Sequence, residues 1–203
     1  MTTPWQDSLP ERKMRSVQLA TALYSLARFY VEAPNHDVVG RFSDPAMAQT
    51  WPLRDPQSLV ALAEIGQAGE SVYVLNAEFN SLIGPSGSLR MAESEFTGEG
   101  PLPLVQELAE QYRAAGYASQ KTESYPRDHV AVELAFLAHL VIGSADGEKD
   151  AEIRRFRGEH LDRFVPELLE ELEAQATTAT YRGVVALTRA ALAGVEELTG
   201  ADG

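Results

Sequence analysis

Asp128-His129-Val130-Ala131-Val132-Glu133-Leu134-Ala135-Phe136-Leu137-Ala138-His139-Leu140-Val141-Ile142-Gly143 is the stretch on which the fold turns. Val130, Leu134, Leu137 and Val141 recur at steps of four, three and four, which is one stripe of an α-helix. Phe136 and Leu140 widen the stripe, as in a central helix buried on most sides. The apolar run from Leu134 to Gly143 contains His139 and is about ten residues long, half of the roughly twenty that cross a bilayer. It therefore predicts a core helix and not a membrane span.

The same periodicity extends outward in both directions. Leu19, Leu23, Leu26 and Tyr30 predict a helix over about Pro10 to Val31. Val38, Val39, Phe42, Met47 and Trp51 predict a less regular helical piece broken around Asp44-Pro45, and Pro56 is placed to open a helix carrying Leu59, Leu62 and Ile65. Val72-Tyr73-Val74 favours a strand locally. Yet Val72, Leu75, Phe79 and Leu82 step by three, four and three, which predicts a helix ended by Gly84-Pro85. Residues 86–100 predict the longest irregular connection. Further helices are predicted over Pro101 to Ala115, about Lys149 to His160, about Val165 to Ala176 and Thr178 to Leu198, with a polar loop over 117–127. No strand pair and no repeat emerges, so the expectation is a single compact all-α domain over residues 1–203, frayed at about 1–9 and 199–203.

The chain has 203 residues, 17 Lys+Arg against 30 Asp+Glu, a net charge of −13 and no cysteine. Such a balance excludes a sequence-independent nucleic-acid binder, which must neutralise phosphates. The missing cysteines exclude disulfides, thiolate metal sites and thiol nucleophiles. Lysine is scarce, at Lys13, Lys121 and Lys149. An acidic surface of this kind serves solubility, or steers a basic partner towards it. Met1 to Arg15 lacks the basic-then-apolar order of a signal peptide, so the expectation is a soluble, cytoplasmic protein with no membrane insertion.

Catalytic patterns fail one by one. HExxH, a GxxxxGK[ST] phosphate loop and a GxSxG elbow are all absent. His129 and Glu133 share a helix face and form the one pair that invites a metal; a metal-dependent enzyme built on them is the weakest of the readings, because a lone pair at that spacing is common. His139 sits among apolar neighbours as a hydrogen-bonded core residue. Asp146-Gly147-Glu148-Lys149-Asp150 misses the calcium-loop register, since Ile142 and Ser144 stand where oxygen ligands belong. No catalytic residue, no metal and no cofactor is expected. A helical interaction or regulatory module with another ligand stays open as an alternative.

Tyr125-Pro126-Arg127-Asp128-His129, leading into Glu133-Leu134-Ala135-Phe136-Leu137, resembles the signature of the TorD/DmsD/NarJ family of redox-enzyme maturation chaperones. Glu78-Phe79, Leu82-Ile83-Gly84-Pro85 and Glu93-Ser94-Glu95-Phe96 are similar to a second family stretch. Phe156, His160-Leu161, Phe164 and Pro166 are similar to a third. The sequence departs from the pattern at Tyr125, with Glu123 the nearest upstream acid, at Ala92 and at Phe164.

The resemblance implies an all-helical cytoplasmic chaperone that is not an enzyme. Its implied partner is the precursor of a molybdopterin oxidoreductase catalytic subunit, bound through an N-terminal segment that is often a twin-arginine leader. Such a leader is basic at one end and apolar along its core, so its receptor needs carboxylates beside an apolar groove. Asp128 and His129 match the binding motif. Asp128 is the implied arginine partner, or a cap for exposed helix amides. His129 bonds the leader backbone or positions the turn. Pro126 belongs to the same turn, Glu78 is a second candidate arginine partner, and Phe79, Leu82 and Phe136 are candidate groove residues. Glu167, Glu170, Glu171 and Glu173 read as a solvated helix face.

Overall fold

The computed structural model describes residues 11–42, 44, 46–98, 100–118 and 125–200. Its elements are α1 (Glu11–Phe29), α2 (His36–Phe42), α3 (Met47–Thr50), α4 (Pro56–Ala68), α5 (Val72–Leu82), α6 (Glu93–Thr97), α7 (Pro101–Ala114), α8 (Val130–Ile142), α9 (Asp150–Phe156), a π-turn (Arg157–Leu161), α10 (Asp162–Gln175) and α11 (Ala179–Gly200). The fold is all-α; the only β-type pairing among the described residues is an isolated bridge between Ala92 and His129. No helix of the described residues is long and apolar enough to cross a membrane.

The helix predicted at the centre is there. α8 is buried on nearly every side, from Val130 to Val141, with His139 alone partly exposed before that point. α1 packs along it with Leu19, Leu23 and Leu26 buried, and α11 closes over α1 and α4. One hydrophobic cluster runs through all of these helices. His139 fulfils its expected role, with Nε2 2.9 Å from the Ala115 carbonyl.

Local signals placed the helix starts. Asp55 caps α4 by accepting from Ser58 N at 2.8 Å, with Pro56 opening the helix. Ser71 caps α5 through Val74 N at 3.4 Å. The helical period of Val72–Leu82 prevails over its β-branched start because Leu75, Phe79 and Leu82 bury together.

The structure corrects the expectation elsewhere. Residues 86–100 are not one irregular connection, since α6 forms inside them. Gly87 there passes so close to the Leu82 backbone that an added Cβ would collide with it. The two acidic helices predicted after Lys149 are joined by the π-turn into one continuous run, which carries Pro166 without breaking. Thr199 does not fray: it is buried and helical, and its hydroxyl donates to Val195 O at 2.9 Å. The acidic face of α10 is solvent-exposed, as expected, and it also carries surface ion pairs, Arg90 with Glu167 and Glu171 and Arg189 with Glu173. The expected fraying at 1–9 and beyond Gly200, the break at Pro45, and Glu123 lie outside the described residues.

Candidate functional site

The Pro126–His129 turn is built to start α8 and to hold the α6 segment against it. His129 is the N-cap residue, with Nδ1 accepting from Ala131 N at 3.2 Å. Val130 N donates to Met91 O at 2.9 Å and Glu93 N to Asp128 O at 2.8 Å, so main chain from both segments interlocks. The Asp128 carboxylate accepts from Ser94 Oγ at 2.6 Å and from Ser94 N at 3.3 Å. Glu95 completes the fastening by accepting from Met91 N at 2.8 Å and Ala92 N at 2.9 Å. Asp128 thus caps α6, a helix remote in sequence, and not the helix it precedes.

Beneath this clasp lies a buried polar layer. Glu93 is fully buried and meets His160 Nδ1 at 3.0 Å and Arg163 at 3.2 Å. Tyr112 donates to Arg127 O at 2.8 Å. Glu133 is fully buried with neither carboxyl oxygen hydrogen-bonded. Burial, with Glu93 and Asp128 nearby, pushes its carboxyl well above the usual range, which favours the neutral acid.

A family model described as nitrate reductase delta subunit matches residues 57–170, more than half of the chain. The chain belongs to the nitrate reductase delta subunit family. This is a family of molybdoenzyme maturation chaperones, whose members partner with molybdoenzyme catalytic subunits, and it stands on the NarJ side of the resemblance. No curated protein matches the chain. The family match runs from α4 into α10 and includes both the Pro126–His129 turn and the α6 segment fastened to it.

The family's signature residues here do structural work. Asp128 is 1% exposed and His129 6%; neither presents a free group to a partner. Burial holds the His129 imidazole down at about 4 despite the pull of Asp128 and Glu95, so it is neutral, with its proton on Nε2. Glu78 lies away from the turn, and its carboxylate is taken up by Thr177 and Thr178 ahead of α11. Phe79 and Leu82 pack in the core. Phe136, 1% exposed, stacks among Tyr112, Tyr117 and Phe156. Phe136 also reaches the floor of a cavity of about 250 Å³ between Glu110, Gln111, Glu152 and Arg155, and of the seven sequence candidates Pro126 alone is exposed. No group of three or more His, Cys, Asp and Glu side chains placed to hold a metal ion exists among the described residues.

The sequence reading missed two features. Glu93 was visible only as part of a family-like motif, and its burial depends on partners on the π-turn and α10. A cavity of about 400 Å³ between α1, α2 and α3 carries no sequence signature at all.

The neutral His129 makes stability pH-dependent. An unfolded histidine titrates near 6.5 and this one at about 4, so between those values the unfolded chain takes up a proton that the folded chain refuses. Stability is complete above 6.5 and is lost as the pH falls towards 4, by about 2 kcal/mol between roughly pH 7.5 and pH 5. His129→Asn keeps a cap acceptor and removes the titration. Its stability difference from wild type in urea should therefore change by that amount across the interval, and a constant difference would contradict the assignment.

Proposed function

We propose that this protein is a cytoplasmic chaperone, catalysing nothing itself. It binds the N-terminal segment of a molybdopterin oxidoreductase catalytic subunit and holds the apoprotein until its cofactor is inserted. The match to the nitrate reductase delta subunit family carries this reading, because it spans the turn and clasp that resemble the client-binding signature. A nitrate reductase catalytic subunit is accordingly the first client to test.

Asp128 and His129 act in this reading by shaping the turn, and Pro126 offers the exposed surface beside it. Tyr125 links the turn to the rest of the molecule: its ring lies 4.8 Å from His129, and its hydroxyl donates to Val31 O at 2.7 Å. A client held near the turn is thus also near the end of α1.

Affinity purification of the tagged chain from its native host tests the reading. The expected result is co-recovery of a molybdopterin oxidoreductase catalytic subunit lacking its cofactor. Synthetic peptides from about the first thirty residues of that subunit should bind with micromolar or tighter Kd, corresponding to about 8 kcal/mol. Recovery of mature, cofactor-loaded enzyme alone, or of no such enzyme, would overturn it.

A further inference from the structure

The cavity between α1, α2 and α3 is a trough with an aromatic and aliphatic wall of Phe29, Val38, Phe42, Met47 and Trp51. Phe42 meets Phe29 edge-on at 5.2 Å and Trp51 at 6.1 Å. Thr21, Ser25 and Arg28 line it from successive turns of α1. The same steps of three and four continue back through Gln18 and Met14 towards the start of the helix. One face of α1 thus leads from Glu11 into the trough.

Its polar groups are committed or balanced. Arg28 pairs with Glu32 at 2.8 Å, and the Thr21 and Ser25 hydroxyls donate to carbonyls of their own helix. Arg41 and Asp44 set one charge of each sign in the same mouth, and Asp44 accepts from Ala46 N at 2.8 Å. Such a trough offers an apolar side chain a dry wall and gives a charged one no advantage. It suits an apolar segment with few charges. The stretch that precedes α1 in the chain has that composition: residues 1–10 hold Trp5 and Leu9, and Asp7 is their only charged side chain.

Length makes the same choice. Ser25 lies fourteen residues beyond Glu11, about 21 Å along the helix. Trp5 lies six residues ahead of Glu11, about 20 Å of extended backbone, and its side chain adds to that reach. We infer that residues 1–10 fold back along the Met14–Gln18–Thr21 face of α1 and seat the Trp5 ring in the trough, against Phe29, Phe42 and Trp51. The tether keeps Trp5 at an effective concentration of about a millimolar or more, so a contact too weak to hold a free peptide stays filled. The chain thereby occupies its own trough, and a partner that enters must first displace Trp5. This autoinhibitory contact does not depend on the chaperone reading, and its test involves no client.

Trp5 and Trp51 are the chain's two tryptophans, so the emission of the full-length wild type minus that of Trp5→Phe reports Trp5 alone. Acrylamide quenching of this difference signal should be at least about threefold weaker than for a synthetic peptide of residues 1–10, as a seat filled about two-thirds of the time requires. The difference emission should also lie to the blue of the peptide's. Ser25→Glu, which sets a charge in the middle of the trough, should return the quenching to the peptide's value, measured against its own Trp5→Phe counterpart. Thr21→Glu, one turn earlier on the same face, replaces Ser25→Glu if the latter lowers the melting temperature. Quenching equal to the peptide's in the wild type overturns the seat and leaves the trough to a separate partner. Protection that survives the charged variant places Trp5 elsewhere and overturns it too. Protection that fades on dilution assigns the trough to Trp5 of a second copy and overturns the contact within one chain.

Discussion

Replacing Glu93 with alanine is expected to cost about 2–3 kcal/mol of folding stability, the usual loss when a buried donor is left without its charged acceptor. The carboxylate is fully buried, with His160 Nδ1 at 3.0 Å and Arg163 at 3.2 Å. His160 Nε2 faces the Gln111 side-chain nitrogen at 3.0 Å. That amide nitrogen can only donate, so Nε2 accepts and the ring's proton sits on Nδ1, pointing at Glu93. Alanine would leave this N–H in a dry site without an acceptor. Arg163 reaches solvent, and its share of the loss is small. Glu93→Gln keeps one acceptor oxygen and should lose only about 1–2 kcal/mol. Urea denaturation measures both variants, and hydrogen exchange should rise over residues 91–97, which Glu93 ties to the π-turn and α10. A loss under about 1 kcal/mol for the alanine variant would contradict the role assigned here.

Glu78→Ala is expected to be comparably damaging, at about 2–3 kcal/mol, chiefly through loss of acceptors for the buried Thr178 donors. The Glu78 carboxylate accepts from the backbone N–H and the hydroxyl of both Thr177 and Thr178. It thereby anchors the chain entering α11 to α5. Glu70 does the same one step on, accepting from Ala179 N at 2.6 Å and Thr180 N at 3.0 Å. Burial pushes the Glu78 carboxyl up, but the Thr177 and Thr178 hydrogen bonds outweigh it and hold the group below its ordinary 4.5. A carboxylate so lowered contributes stability above the unfolded value, and that contribution is lost as the pH falls through the folded one. The gap between wild type and Glu78→Ala should therefore be full at neutral pH and narrow below about pH 4.5. Urea denaturation at several pH values checks this, and a gap independent of pH would refute the carboxylate's role.

Both acids show where sequence reading stopped. Glu78 was a candidate arginine partner because it sits in a family-like motif one helical turn from Leu82. Its real partners, Thr177 and Thr178, lie 99 and 100 residues away, and no local period points to them. Asp128 has the same history: the motif marked it, yet its ligand is Ser94, 34 residues earlier. α6 was hidden for a related reason. Five residues cannot show a helical period, and its capping comes from Asp128 and Glu95, so it forms only where tertiary partners satisfy its amides.

Helical class, the central place of Val130–Ile142 and the family were legible in the residues themselves, because they rest on patterns repeated within one turn or motif. Apolar spacing needs no distant partner to mark a buried face. The tertiary structure alone decided which polar groups serve the protein and which are left for a partner. A carboxylate on a helix reads the same whether it faces water, a threonine or a client; burial and pairing are set by neighbours brought from remote parts of the chain. By that measure Asp128, Glu93 and Glu78 are internal fastenings, held by Ser94, His160 and Thr178 at separations of 34, 67 and 100 residues.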